Sequence, residues 1–181
     1  MKVAVYLIKA AILSLMPAPS PAWNETTEQY EARVDTTSEA ISAVTKNRGE
    51  AFGLVVTFWG ESRFSPLIHD GTRRGDGGLS ICFGQIRREP RITLESNPAE
   101  YAAWEALAGT SLEATTACAQ RSAIIMRRAY WHCHSLDPKW GMPEAFVLYG
   151  SGRTCRSHET PYRGIFDDRA RKWRALMARF K

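Results

Sequence analysis

Cysteine is scarce in this 181-residue sequence, four residues in all, at positions 82, 118, 133 and 155. No two lie close enough for a zinc ribbon or a C-x-x-C redox pair, so neither chemistry has its usual ligands. No segment carries the ligand spacing of a calcium loop. Repeats and low-complexity stretches are missing, and the length suits one well-cored domain rather than two. Long apolar runs are missing too: Val3 to Met16 is too short to span a membrane and is interrupted by Lys9. Neither sign of charge dominates, since 24 Lys+Arg against 19 Asp+Glu leave +5. That balance implies a weak attraction to polyanions, acidic envelope polymers and nucleic acid alike.

What cysteine there is comes as an even number at wide spacing. Two disulfides are the reading, which places folding outside the reducing cytosol. Four buried free thiols are the alternative. Three connectivities are open, and Cys82–Cys118 with Cys133–Cys155 is favoured. Residues 1–22 read as an export signal: Lys2, a mostly apolar stretch, then small residues before Trp23. The alternative is a structured first helix packed on the domain, which then spans 23–181.

Pro17, Pro19 and Pro21 separate this leader from the folded part. Thr26 and Gln29 have the spacing of a capping box, and a helix is predicted from Thr27 to Lys46, stopped by Asn47-Arg48-Gly49. Ala51 to Gly60 is almost wholly apolar and is taken as a buried helix, because no hairpin partner flanks it. Pro66 to Gln85 is glycine-rich and predicted as a long loop or irregular hairpin, a length usually associated with function. Further helices are expected from Asn97-Pro98 to Leu107, from Ser111 to Tyr130, from Pro143 to Tyr149 ending at Gly150, and from Phe166 to Phe180.

Glu61 stands where an acid is costly, at the end of the buried apolar run. Burial disfavours a carboxylate and keeps a glutamic acid protonated, the form that donates a proton. Cleaving a glycosidic bond requires that donor, because an unprotonated sugar alkoxide leaves poorly. The bland alternative is that Glu61 caps its helix or pairs with Arg63.

Glu61-Ser62-Arg63-Phe64-Ser65-Pro66 is followed by Gly77-Gly78-Leu79-Ser80-Ile81-Cys82-Phe83-Gly84-Gln85-Ile86, and later by Leu148-Tyr149-Gly150-Ser151-Gly152. This order resembles the soluble lytic transglycosylases and their goose-type lysozyme relatives, over about Ala51 to Gly152. The family signature is a Glu-Ser pair ending a helix, a glycine-rich segment closing on Gly-Leu-Met-Gln, and a downstream Ala-Tyr-Asn-x-Gly. The implied fold is mainly α, a lysozyme-like single domain with a glycine-rich loop or small hairpin beside an active-site groove.

By that resemblance Glu61 matches the catalytic glutamate. Ser62 matches the serine that contacts the sugar or the glutamate. Gln85 matches the groove-lining glutamine, and Gly152, closing the third motif, joins the substrate-binding set. Tyr149 matches the tyrosine whose hydroxyl reaches the glutamate and fixes its orientation. Phe83-Gly84 replaces the family's Leu-Met and Gly150 its Asn, which leaves the sugar contacts less defined.

Counting carboxylates separates mechanisms. A retaining glycosidase needs a second carboxylate about 5 Å from the acid, and an inverting one a base about 6.5–9.5 Å away. Asp70 and Asp76 are the nearby candidates, both in the glycine-rich loop; Asp76 is the possible second carboxylate, although Asp76-Gly77-Gly78 reads more simply as a turn. Without it a single carboxyl serves the transglycosylase route, closing a 1,6-anhydro ring on N-acetylmuramic acid. Lysozyme-type hydrolysis and a non-catalytic virion or envelope protein are the alternatives. The expected partner is peptidoglycan glycan, not nucleic acid, met by a monomer in the periplasm, outside the cell, or from a phage.

His132-Cys133-His134 is set aside as a metal site, because alternating residues on a helix point apart; no cofactor or metal is implied. The run Arg169-Ala170-Arg171-Lys172-Trp173-Arg174 is read as a solvated basic face over an apolar one.

Overall fold

The computed structural model describes residues 3–180. Its centre is the apolar run itself. Every residue from Ala51 to Phe58 is buried, and a helix apolar all round must be enclosed by others. This helix, α3 (Arg48–Ser62), is surrounded by α1 (Val5–Leu15), α2 (Thr27–Val44), α6 (Leu112–Leu136), α7 (Met142–Ser151) and α8 (Arg163–Arg179). Two shorter helices, α4 (Pro66–His69) and α5 (Pro98–Glu105), complete eight among the described residues. The fold is mainly α.

Local chemistry sets the helix starts. Thr26 and Gln29 form the reciprocal capping box of α2. Asn47, expected only to stop that helix, in fact caps the next one by accepting from the Glu50 amide at 3.0 Å. Asn97 and Ser111 cap α5 and α6 in the same way. The segment after the leader prolines aside, α1 itself packs on α2 and α3 and buries Ile8, Ala11 and Ile12.

Two predicted helix ends are corrected. α6 runs six residues past Tyr130, because nothing breaks it before the extended Asp137 and Pro138. α7 passes through Gly150 and stops at Gly152, whose φ of 65° supplies the left-handed turn that ends a helix.

The glycine-rich stretch folds as α4, a short turn, and an antiparallel hairpin of β1 (Ser80–Ile81) and β2 (Ile86–Arg87). Its tip, Cys82-Phe83-Gly84-Gln85, closes with Gln85 N donating to Cys82 O at 3.0 Å. Phe83 anchors that tip in the core, 5.8 Å from Phe58 and 5.6 Å from Phe64 by ring centroid, and stacks on His69 at 4.1 Å. Disulfides join Cys82 to Cys118 and Cys133 to Cys155. The first ties the hairpin tip to α6, and the second ties α6 to the segment beyond α7. Two disulfides fit folding in an oxidising compartment. No helix among the described residues is long and apolar enough to cross a membrane.

Candidate active site

Glu61 occupies the last turn of α3, at the edge of the core. The chain leaves this helix through two consecutive left-handed residues, Arg63 (φ 54°) and Phe64 (φ 57°). Neither is glycine, so the turn must be held from outside. Ser62 Oγ donates to the Phe58 carbonyl at 2.8 Å and accepts from Phe64 N at 3.2 Å. Arg33 of α2, buried in an ion pair with Glu25, donates to the Phe64 carbonyl at 2.6 Å. Ser62 is thus turned inward and buried, and its structural work is to fix the backbone next to Glu61.

The Glu61 side chain is 20% exposed, and its Oε1 accepts from Nη1 of Arg169 at 2.8 Å. The expected apolar setting for the acid is therefore corrected: a guanidinium stands against it. The Arg63 alternative is corrected too, since the Arg63 guanidinium lies over the Trp59 ring at 4.6 Å. Arg169, expected on a solvated face, is 4% exposed. Its spacing carried the signal. It falls three residues after Phe166 and four before Trp173, inside the apolar stripe of α8 rather than opposite it.

Room for that arginine comes from glycine. A Cβ at Gly60 would sit 2.1 Å from Arg169 Nε, and one at Gly150 would sit 2.6 Å from Phe166 Cε1 and 3.2 Å from Arg169 Nη1. Gly150, a departure from the resembled motif at sequence level, is where α8 meets α7.

Tyr149 lies one residue earlier on α7. Its hydroxyl donates to the Gly84 carbonyl at the hairpin tip, at 2.8 Å, and not to Glu61. Burial pushes its phenol well above the usual tyrosine range, and the nearby Glu61 charge adds to that shift. Gly84 is itself closely packed: a Cβ there would lie 2.1 Å from Ser122 Oγ of α6. So α7 joins two distant stretches: it packs on α3, and its Tyr149 holds the hairpin tip at Gly84 with the Glu61 charge close enough to act on the phenol.

No family model, curated protein or solved structure matches this chain.

The other predicted residues take varied places. Gln85 is partly exposed at the tip, φ 48°, with its amide folded back to donate to Cys82 O at 3.3 Å and its Oε1 against Gly75. Asp76 is exposed and accepts from Ser80 Oγ at 2.6 Å, the arrangement of a turn residue. Gly152 is the C-cap of α7, exposed, with open space around it.

A cavity of about 460 Å³ lies elsewhere, lined by Leu54, Met126, Arg127, Tyr130, Trp131 and Trp173 among others. It opens beside Glu50, eleven residues and thus about 16 Å of helix away from Glu61. Its charged groups, Glu50 and Arg127, pair with each other at 2.9 Å. Its lining is largely apolar, and its carboxylate is held by Arg127.

Proposed function

We propose that this protein is a peptidoglycan lytic transglycosylase on a lysozyme-like scaffold, acting in the periplasm, outside the cell, or from a phage. The observation that carries the reading is that α3, whose last turn holds Glu61, packs on α7, whose Tyr149 hydroxyl donates to the Gly84 carbonyl of the hairpin tip. Glu61, Gly84 and Tyr149 each come from one of the three motifs that resemble the soluble lytic transglycosylases, in the same order.

In this reading Glu61 protonates the oxygen between N-acetylmuramic acid and N-acetylglucosamine as that bond breaks. It then accepts the proton of the muramic 6-hydroxyl as the 1,6-anhydro ring closes. Asp76, which accepts from Ser80 in its own turn, serves the backbone there in this reading, and one carboxyl carries the transglycosylase route. Tyr149 holds the hairpin tip against α7, and Gln85, partly exposed at that tip, is the residue this reading assigns to sugar contact.

The ion pair between Glu61 and Arg169 favours a second reading. A buried guanidinium beside a carboxylate is also how a structural pair looks, as in a non-catalytic virion or envelope protein. Digestion of purified peptidoglycan, followed by mass spectrometry of the muropeptides, separates these readings. Anhydro-ended fragments that vanish with Glu61→Gln support the transglycosylase. Fragments carrying water instead make the protein a lysozyme, and no fragments at all leave the non-catalytic reading.

A further inference from the structure

The two oxygens of Glu61 have unequal surroundings. Oε1 accepts from Arg169, and no hydrogen bond among the described residues holds Oε2. Arg169 reaches Oε1 through the notch left by Gly60 and Gly150, with its guanidinium over the Phe166 ring at 5.4 Å. Its Nε is buried without a partner. A side chain that accepts that penalty is placed for what its other nitrogens do, and here Nη1 holds Glu61.

A guanidinium stays charged at any working pH and has no proton to exchange with substrate. Its contact with Glu61 also survives a change in protonation. When the carboxyl carries its proton on Oε2, Oε1 is a carbonyl oxygen that still accepts from Nη1.

We infer that Arg169 is a positioning residue: by holding Oε1 it fixes the carboxyl plane and leaves Oε2 as the oxygen that gives and takes the proton. The inference rests on reading Glu61 as the proton-transfer group. The steps balance without Arg169 gaining or losing anything. The Oε2 proton passes to the glycosidic oxygen as the bond from C1 breaks. Oε2 then takes the proton of the 6-hydroxyl as the bond from O6 to C1 forms.

The test is steady-state kinetics on soluble, uncrosslinked peptidoglycan strands, with thermal melts, for wild type, R169M, R169K, E61Q and E61Q/R169M. Methionine keeps bulk but loses charge and donors; lysine keeps charge and one donor. R169M is expected to lower kcat about 100-fold, the cost of a proton donor displaced by about 1 Å, with KM changed less than about threefold. R169K should recover at least about tenfold of that loss. R169M added to E61Q should lower the residual rate no further, because Arg169 acts only through Glu61. A kcat for R169M within about threefold of wild type overturns the inference. So does a folded R169K no faster than R169M, or a further loss in the double variant. Should R169M fail to fold, a folded R169K with kcat below about one hundredth of wild type overturns it as well. Lysis by E61Q at the wild-type rate overturns the functional reading itself, a different result from any of these.

Discussion

Gly60 and Arg169 exclude each other's larger alternatives: a methyl group on residue 60 would lie 2.1 Å from Nε of the arginine. The guanidinium crosses the last turn of α3 only because position 60 has no side chain. Gly60→Ala is therefore expected to push Arg169 out of its notch and break its bond to Glu61. Helix propensity alone would make this exchange favourable by about 1 kcal/mol. Overpacking should outweigh it and leave a net loss of about 1–2 kcal/mol. Urea unfolding of the two proteins measures the sign; a more stable Gly60→Ala would show that the arginine moves aside freely.

The Tyr149 hydroxyl serves the hairpin tip rather than the acid, and this changes what its removal should do. Tyr149→Phe leaves the Gly84 carbonyl unpaired, at a stability cost of about 1–3 kcal/mol. Lysis should fall because the tip loosens, by about tenfold and less than for Glu61→Gln. Lysis by a Tyr149→Phe protein matched to wild type in folded fraction checks this. An unchanged melting point together with lost lysis would place the phenol in the chemistry directly.

The features legible from sequence were those decided within a few residues. Thr26 and Gln29 announce a capping box because both partners lie in one turn, and Ala51 to Gly60 announces burial by composition and a helix by the lack of a flanking hairpin partner. Gly150 misled as a helix end because glycine permits either a turn or a close approach, and only the arrival of Phe166 from α8 decides which. Glu61 was legible as an unusual acid, but its partner was not. Arg169 lies 108 residues away, and no local spacing rule connects them. Its place within the apolar stripe of α8 was readable, yet a basic run invites the solvated interpretation. Ser62 and Tyr149 were correctly placed on their helices, but their hydrogen-bond partners depend on how three segments meet.

The disulfides should separate stability from activity. Their sequence separations of 36 and 22 residues correspond to about 3–4 kcal/mol each in a chain-entropy account. Cys82 begins the hairpin tip in a left-handed conformation, φ 59°, and its carbonyl accepts from both the backbone and the side chain of Gln85. Cys133–Cys155 instead ties α6 to the segment beyond α7. Replacing Cys82 and Cys118 by serine should cost lysis more than about tenfold beyond the unfolded fraction, and replacing Cys133 and Cys155 less than about threefold. Equal losses of specific lysis in the two double variants would remove the special role of the first bridge.

His69 gives the fold a defined acid sensitivity. The Thr115 hydroxyl donates to the Ser111 carbonyl at 2.8 Å, so at 2.7 Å from His69 it can only accept, and Nε2 carries the ring proton. Nδ1 is buried without a partner, and the ring stacks on Phe83 at the root of the hairpin tip. Burial, with the Arg33 charge adding to it, lowers this histidine from 6.5 to about 4. The unfolded chain therefore binds a proton between pH 6.5 and about 4 that the folded protein refuses. The full stability is present above pH 6.5 and is lost as pH falls toward 4, by about 3 kcal/mol in all. The paired carboxylates of Glu50, Glu105 and Asp168 are also held low, but they act below their ordinary carboxylate range, so the upper part of the window belongs to His69. Urea unfolding at pH 7, 6, 5 and 4.5 should show stability declining already between 6.5 and 5. His69→Gln keeps a donor for Thr115 but cannot ionise, and it should flatten that decline while lowering stability at pH 7 through the lost stacking. A decline of the same slope in His69→Gln would mean that another group takes up the proton.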